Sequence, residues 1–324
     1  MKRIIIRTLG GKRIGYGHFY RCLSLAKALM MVQGDLEITF LINEELVDLI
    51  ERTPFAYQVA EGLEEDLTLI SDWDLDLFVF DSYLGNDEYL REVKKHTKLM
   101  LIDDNNDLYN STIPDILYNG NIHAPSLRYR KREGQIQLLG SKYLIMKEEY
   151  WTPGDDQEFE KEGVLVTTGG SDEQGIALKL LETLKNIEER LTLIIGPGYS
   201  EEYISQLEEL KNRDMKFIYK PASLKEYISR AEIVVTAGGS TVYETLNLGT
   251  KLIIYSLADN QNLLCQSLRK MGIPYLGKYP ELDYAALGQL IAELRTSEVK
   301  RGKPPYSLIS GDGALVVARK LVEM

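Results

Sequence analysis

The fold of this chain is decided by the stretch Ile14-Gly15-Tyr16-Gly17-His18-Phe19-Tyr20-Arg21-Cys22-Leu23-Ser24-Leu25-Ala26. It follows the apolar run Ile4-Ile5-Ile6, which is typical of a buried strand, and its own apolar residues recur at the spacing of a helix. A strand, a glycine turn and a helix therefore meet here. Gly15 and Gly17 permit close approach of a ligand, and the helix start offers N–H groups to an anion. His18 stands at that entrance, where an imidazole can exchange a proton near neutral pH, so we predict that it is catalytic.

This stretch alone leaves a second interpretation open. Many α/β loops contain a Gly-x-Gly turn that binds nothing, and a histidine at a helix start can simply cap the helix. A second candidate site farther along the chain is needed to favour a catalytic His18 over a helix cap.

Composition restricts the class of protein. The chain has 324 residues, which fits two domains, and 38 Lys and Arg against 49 Asp and Glu give a net charge of -11. This balance argues against nucleic acid or an anionic membrane as a partner. No apolar run is long enough to span a bilayer, and the N-terminal residues indicate a strand instead of a signal sequence. Cys22 and Cys265 form neither a disulfide framework nor a metal motif, so we expect a cytoplasmic protein.

The first half alternates strands and helices. Strand patterns at 36–41, 75–80 and 98–102, with a polar helix at 87–96, predict a parallel sheet with helices on both faces. Ligands of such sheets bind beyond the carboxyl ends of the strands. We therefore expect four further residues on the same rim as His18: Asp81, Tyr83, Asp103 and Asp104.

The acidic run at 103–107 does not predict a calcium site. An EF-hand loop needs glycine at its sixth position and a bidentate glutamate at its twelfth, where this chain has Leu108 and Pro114. An Asx-rich loop that caps itself is the better interpretation, and we predict no metal site.

The segment 151–163, which contains Pro, Gly and acidic residues, predicts a domain boundary. We expect an N-terminal Rossmann-like domain over residues 1–150 and a C-terminal one over 163–324, whose last helix can pack back on the N-terminal domain. A fresh strand at 163–168, a helix from Glu173 to Ile187 and strands at 191–195, 216–219, 232–236 and 251–255 predict the second parallel sheet.

The second candidate site is Ala237-Gly238-Gly239-Ser240-Thr241-Val242-Tyr243-Glu244. Gly238 and Gly239 allow close approach, and the N–H groups and hydroxyls of Ser240 and Thr241 suit a pyrophosphate. Glu244 could accept hydrogen bonds from a ribose diol. The alternative is a helix capped by Ser240, with Glu244 near the favourable end of its dipole.

A third polar group follows the strand at 251–255. The amides of Asn260 and Gln261 suit sugar hydroxyls or an acetamido group, and the alternative is again a helix cap with polar neighbours.

With these motifs in order, the chain resembles the UDP-sugar hydrolases of the pseudaminic acid pathway and the related spore coat polysaccharide biosynthesis proteins, and more distantly the glycosyltransferase B architecture. The residues that carry the resemblance extend over nearly the whole chain. They are Ile14-Gly15-x-Gly17-His18-x-x-Arg21-Cys22-Leu23-x-Leu25-Ala26, Asp81-x-Tyr83, Ile102-Asp103-Asp104, Leu139-Gly140-x-x-Tyr143, Gly169-Gly170-Ser171-Asp172, Ala237-Gly238-Gly239-Ser240-Thr241-x-Tyr243-Glu244, Asp259-Asn260-Gln261 and Gly311-Asp312-Gly313-Ala314.

The resemblance implies two Rossmann-like α/β domains facing across a cleft, and metal-independent hydrolysis of a UDP-linked deoxy-amino sugar without a cofactor. It implies that His18 is the catalytic residue. The substrate would be bound by Gly15, Gly17, Arg21, Asp81, Tyr83, Asn260 and Gln261. The nucleotide would be bound by Gly169, Gly170, Ser171, Gly238, Gly239, Ser240, Thr241 and Glu244.

One departure concerns the substrate. The pathway hydrolases carry Asp-Ala-Ser after the first strand, whereas this chain has Leu9-Gly10-Gly11 followed by Lys12 and Arg13, so the sugar or the reaction can differ. An inverting UDP-sugar transferase and a non-catalytic nucleotide-sugar-binding protein remain alternatives. The expected partner is the UDP-sugar itself, without nucleic acid or membrane insertion, and other glycan biosynthesis enzymes are candidate contacts. A dinucleotide oxidoreductase is disfavoured because neither glycine turn forms Gly-x-Gly-x-x-Gly with an acid about 20 residues later.

Overall fold

The computed structural model describes residues 2–11, 14–152, 160–185, 190–299 and 303–324. The chain divides into two compact units, which are Met1–Pro153 with Ser310–Met324, and Gly154–Ile309. Residues 153–159 of the predicted boundary segment lie outside the described residues.

The first unit is built on a parallel sheet. Its strands are β1 (Arg3–Thr8), β2 (Glu37–Ile42), β3 (Ala56–Val59), β4 (Leu77–Asp81), β5 (Lys98–Ile102), β6 (Ile116–Asn119) and β7 (Ile136–Leu139). They are hydrogen-bonded in the order β3-β2-β1-β4-β5-β6-β7. The α-helices are α1 (Gly17–Val32), α2 (Val47–Ile50), α3 (Leu63–Asp72), α4 (Asp87–His96) and, from the end of the chain, α11 (Gly313–Val322). Short 3₁₀ helices of this unit occur at Glu44–Leu46, Ala124–Leu127, Ser141–Tyr143 and Glu148–Tyr150. Another, at Tyr306–Leu308, belongs to the second unit.

Both faces of this sheet are buried. Side chains alternate along a strand, so β1 contributes residues to the core on each face. Ile4 and Ile6 belong to the core that α1 covers, and Ile5 belongs to the core on the other face. The register pairs Ile4 with Ile38 on one side and with Leu77 on the other. Helix α11 adds small and aliphatic residues to the α1 core, among them Ala314, Val317, Ala318 and Leu321. The end of the chain is therefore part of the first unit.

The second unit repeats the architecture. Its strands are β8 (Val164–Thr167), β9 (Leu191–Ile195), β10 (Met215–Tyr219), β11 (Ile233–Ala237), β12 (Lys251–Ser256) and β13 (Tyr275–Lys278), in the parallel order β10-β9-β8-β11-β12-β13. Its α-helices are α5 (Ile176–Leu184), α6 (Glu201–Leu210), α7 (Lys225–Arg230), α8 (Ser240–Asn247), α9 (Asn262–Lys270) and α10 (Leu287–Thr296). Two further 3₁₀ helices lie at Asp259–Gln261 and Tyr284–Ala286.

The predicted fold class of two parallel-sheet α/β domains is confirmed. The strands at 98–102 and 191–195 and the helix at 87–96 have the predicted bounds. The helix predicted from Glu173 instead begins at Ile176, because the Asp172 carboxylate binds the first N–H groups of α5, and its predicted end at Ile187 lies outside the described residues. Four strands of only four residues each were not predicted, namely β3, β6, β7 and β13.

The strand orders locate one crevice in each unit. In the first sheet the chain runs outward from β1 to β2 and β3, then returns to β4 on the other side of β1. The second sheet has the same reversal between β8 and β11. Ligands of open parallel sheets bind at the carboxyl ends of the two strands that flank such a reversal. None of the helices in the described ranges combines the length and apolar content that crossing a bilayer requires.

Candidate active site

His18 and Asp81 meet at the crevice of the first unit. Asp81 is the last residue of β4, and His18 lies in the first turn of α1, which follows β1. The connecting loop closes on itself, since the N–H of Gly11 donates to Gly15 O at 3.1 Å and the N–H of Gly15 donates to Gly11 O at 2.7 Å. Gly15 has φ of +82°, a conformation that glycine adopts without strain. The glycine turn therefore delivers His18 to the end of the neighbouring strand.

The contact between His18 and Asp81 fixes the imidazole. His18 Nδ1 lies 2.6 Å from Asp81 Oδ1, and the Asp81 side chain is 1% exposed. A buried carboxylate accepts hydrogen bonds only, so in the neutral imidazole the proton is on Nδ1 and the lone pair is on Nε2. This is the arrangement in which a carboxylate orients a histidine base.

Arg21 lies one turn farther along α1 and joins two carboxylates. Its guanidinium donates to Asp81 at 3.0 and 2.7 Å and to Asp104 at 2.8 and 3.1 Å. Nη2 of Arg21 also lies 3.2 Å from His18 Nδ1. Both of these nitrogens are donors, and their proximity follows from their common acceptor, Asp81 Oδ1.

The electrostatics keep Asp81 ionised. Burial alone would raise the pKa of its carboxyl group, but the charges of Arg21 and then His18, with their hydrogen bonds, hold that pKa well below the usual range. The pKa of the Asp104 carboxyl is also lowered, because Arg21 outweighs the effect of burial. A permanently anionic Asp81 keeps the Nδ1–H tautomer of His18 in place.

Two further rim residues surround this centre. The ring of Tyr83 stands edge-on to the imidazole of His18, with centroids 4.9 Å apart and planes at 89°, and it is 49% exposed. The Asp103 carboxylate accepts hydrogen bonds from the N–H groups of Asn105 and Asn106 at 3.0 and 2.6 Å. This loop therefore caps itself, as we predicted when we rejected a calcium site. Among the described residues, no group of three or more potential ligands is arranged to hold a metal ion.

The structure explains part of the departure at Leu9-Gly10-Gly11. Gly10 exchanges hydrogen bonds with the Asn43 amide at 3.1 and 2.8 Å, and a Cβ on Gly10 would lie 2.6 Å from Leu46 Cδ2. The loop is therefore packed against the residues that follow β2. Lys12 and Arg13 lie outside the described residues.

In the second unit, two glycine loops pack together at the crevice. The loop of Gly169, Gly170 and Ser171 follows β8, and the N–H of Gly198, which follows β9, donates to Gly170 O at 2.8 Å. A Cβ on Gly196 would lie 2.4 Å from the same oxygen, so the second loop needs glycine there for packing. Gly169 and Gly170 have open space around the position of a Cβ, which leaves room for a ligand.

Asp172 anchors the first of these loops. Its carboxylate accepts the N–H groups of Ile176 at 3.0 Å and Ala177 at 2.7 Å, and the hydroxyl of Tyr203 at 2.6 Å. Tyr199 reinforces the loop through a 2.5 Å contact between its hydroxyl and Thr168. Burial, first, and then the Asp172 carboxylate raise the pKa of Tyr203, so that its hydroxyl remains a donor.

The two glycines before α8 differ in their surroundings. A Cβ on Gly238 would lie 2.4 Å from Cys265 Sγ, whereas nothing lies within 4 Å of one on Gly239. Gly239 occupies the N-cap position and α8 begins at Ser240, which differs from the alternative in which Ser240 caps the helix. Gly238 thus allows α9 to pack, and Gly239 leaves the start of α8 open to a ligand.

The remaining predicted residues of this unit have distinct environments. Thr241 lies in the first turn of α8, and Glu244, one turn later, is 4% exposed. Asn260 is exposed, whereas Gln261 accepts the N–H of Leu257 at 2.8 Å and so shapes its own loop.

Sequence reasoning missed the hydrogen bonds of Arg21 and Asp81 to each other, because residues 60 apart give no local signal. It also missed the Gly196-Pro197-Gly198 loop, although glycine and proline directly after a strand are a recognisable turn signal.

Comparison with known proteins shows which proteins this chain is similar to. Residues 164–303 match the glycosyltransferase family 28 C-terminal domain. The chain is 23% identical to the spore coat polysaccharide biosynthesis protein SpsG of Bacillus subtilis, over 97% of this chain and 96% of that protein. It is 22% identical to the UDP-2,4-diacetamido-2,4,6-trideoxy-beta-L-altropyranose hydrolase of Campylobacter jejuni, over 86% of this chain and 100% of that protein. An uncharacterised protein of Methanocaldococcus jannaschii is 26% identical over 78% of this chain, which spans only 55% of that relative's length.

Solved structures agree on the fold. MurG of Acinetobacter baumannii has a TM-score of 0.67 at 12% identity, with 100% of both chains covered. The UDP-GlcNAc 2-epimerase of Methanocaldococcus jannaschii has a TM-score of 0.62 at 14% identity, also with 100% of both chains covered. The predicted resemblance is confirmed: the chain is similar over most of its length to a spore coat polysaccharide biosynthesis protein and to a UDP-sugar hydrolase, and its fold is that of the glycosyltransferase B enzymes.

Proposed function

From this relationship we propose that the protein hydrolyses a UDP-linked deoxy-amino sugar to UDP and the free sugar, with His18 as the general base. The observation that carries the proposal is the 2.6 Å contact between His18 Nδ1 and the buried Asp81 carboxylate. It leaves Nε2 of the neutral imidazole as a proton acceptor at the crevice of the first sheet.

In the proposed reaction, Nε2 of His18 takes a proton from water, and the water oxygen forms a bond to the anomeric carbon. The bond between that carbon and the β-phosphate oxygen breaks, and its electron pair leaves with UDP. We propose that Arg21 and Asp81, which the sequence suggested as substrate contacts, act through His18 instead. The Asp81 carboxylate would orient the base and stabilise the imidazolium that forms, and the hydrogen bonds from Arg21 would hold that carboxylate in place.

UDP would bind at the crevice of the second unit. The N–H groups at the start of α8 and the open space around Gly169, Gly170 and Gly239 suit a pyrophosphate. Ser171, Ser240 and Thr241 would add hydroxyl donors, and Glu244 would accept from the ribose. Gly15, Gly17, Tyr83, Asn260 and Gln261 remain proposed contacts of the sugar.

A transferase is the second candidate, and the match of residues 164–303 to the glycosyltransferase family 28 C-terminal domain favours it. It would use the same base on an acceptor hydroxyl. The two functions differ in whether UDP is released without an acceptor.

The test is incubation with UDP-linked acetamido and deoxy-amino sugars, without an acceptor or added metal, while UDP release is measured. We expect release by the natural protein and a loss of about a hundredfold or more in His18→Ala, the usual effect of removing an acid or base. UDP affinity of that variant, measured by calorimetry, should stay within about twofold, since the proposed nucleotide contacts are elsewhere.

His96→Ala is the matched control, because His96 ends α4 and has a glutamate, Glu92, as its neighbour at 3.9 Å instead of a buried carboxylate. Release that needs an acceptor would show a transferase. UDP binding without turnover under either condition would show a binding protein and refute the proposal.

A further inference from the structure

Lys220 is a strained residue at the end of β10. Its φ is +44°, which L-residues rarely adopt, and Pro221 follows it. A residue before proline is normally confined to extended conformations, so two local preferences are violated together. The Lys220 N–H donates to Ile195 O at 2.9 Å, which holds the strained backbone to the sheet. Strain of this kind persists where the surroundings enforce it, and it concentrates at ligand sites.

Lys220 is also an available cation. The loops that leave the carboxyl ends of the second sheet at 168–175, 196–200, 220–224, 238–241 and 257–261 contain no other Lys or Arg. Lys278, at the end of β13, is held by Asp259 at 2.5 Å. Lys220 is exposed, and no carboxylate among the described residues pairs with it. Its ammonium is therefore free to bind a ligand at this edge.

The strand order gives its place along a bound nucleotide. From β11, which precedes the open start of α8, the sheet continues through β8 and β9 to β10. Three strand spacings are about 14 Å, which is comparable to the length of an extended nucleoside diphosphate. A nucleotide whose phosphates bind at α8 and which runs over the Gly196–Gly198 loop brings its base to Lys220.

We propose that Lys220 Nζ donates a hydrogen bond to the O4 carbonyl oxygen of the uracil base and thereby selects uridine over cytidine nucleotides. An ammonium has three donors and no acceptor. Uracil presents an acceptor oxygen at the ring position where cytosine presents an amino donor, so the same ammonium favours the first base and opposes the second. This inference rests on the proposed function, in which the second unit binds UDP.

The test is calorimetric titration of UDP and CDP into the full chain. Lys220→Asn removes the ammonium and keeps a side chain that tolerates positive φ. We expect it to weaken UDP binding about tenfold, the scale of a charged hydrogen bond, and to leave CDP binding within about twofold. Lys220→Arg should restore most of the preference for UDP. Lys216→Gln is the control, because Lys216 is an exposed lysine of β10, the strand that Lys220 directly follows.

Lys220→Gly adds a readout of the strain. It should raise the melting temperature, since glycine accepts positive φ, and weaken UDP binding as Lys220→Asn does. Equal losses for UDP and CDP would place the ammonium at the phosphates and overturn the base assignment, as would unchanged UDP affinity. If the natural protein bound neither nucleotide, the proposed function would fail first, so the two failures are distinguishable.

Discussion

Asp81→Asn isolates the contribution of the buried carboxylate to catalysis. The amide has nearly the same shape, but it is neutral, and its NH₂ group can donate to His18 Nδ1. The imidazole would then carry its proton on Nε2 and could no longer accept one there. Asp81 also accepts from Arg21 at 3.0 and 2.7 Å, so the substitution removes one charge of a buried ion pair as well.

The expected sizes of the effects on kcat and on stability follow from these contacts. Loss of the correct tautomer should lower kcat about a thousandfold, or about 4 kcal/mol, within the range for general bases. Removing one partner of a buried pair costs about 3–5 kcal/mol of the free energy of unfolding, and we expect about 3 kcal/mol, because Arg21 is 20% exposed and keeps Asp104.

The stability effect should depend on pH in a defined direction. Burial has the largest single effect and raises the pKa of Asp81, but Arg21 and then His18 together outweigh it, so the folded state lowers this pKa. Its stabilisation is therefore complete above the ordinary carboxyl pKa of about 3.9 and is lost as the pH falls through the lower folded value. The difference in unfolding free energy between the natural protein and Asp81→Asn should therefore shrink as the pH falls below about 4.

UDP release gives kcat, urea unfolding gives the stability, and calorimetry should show unchanged UDP affinity. Asp104→Asn is the matched control, because it removes another carboxylate from Arg21 without touching His18. We expect it to lower kcat much less than Asp81→Asn does. A folded Asp81→Asn protein with kcat within about threefold of the natural one would refute the orientation of His18 by Asp81.

Two other predictions concern the second unit. Gly238→Ala should cost about 1–3 kcal/mol of the free energy of unfolding in urea, because its methyl would meet Cys265 Sγ at 2.4 Å, and Cys265→Ala should recover most of the loss in the double variant. Gly239→Ala, where the methyl meets nothing within 4 Å, should cost less, about 0.5 kcal/mol for alanine at the N-cap, and should weaken UDP binding in calorimetry. The reverse pattern would contradict both assignments. Asp172→Asn should cost about 1–3 kcal/mol, because a neutral amide binds the N–H groups of α5 less strongly and an amide NH₂ would face them or Tyr203. Unchanged stability in urea would show that Asp172 does not anchor this loop.

Local pattern was sufficient for much of the fold. The strand at 191–195 is a continuous apolar run and the helix at 87–96 has polar ends and an apolar face, so each has a signal within ten residues. The strands at the sheet edges were harder to predict from the sequence. β3 and β13 have four residues each and only partial burial, so their pairing with β2 and β12 is decided by those neighbours and not by their own composition.

The sequence by itself determined which residue types could do the chemistry. It placed His18 after a glycine turn at a helix start, and it placed Gly239 and Ser240 at another, because both signals are local to one strand, turn and helix. Only the tertiary structure decided what those residues contact. The carboxylate of Asp81 reaches His18 because β4 lies beside β1 and ends at the same edge of the sheet, a pairing that joins residues far apart in the chain. Hydrogen bonds across 60 residues, and the strain at Lys220, follow from packing and have no pattern along the chain.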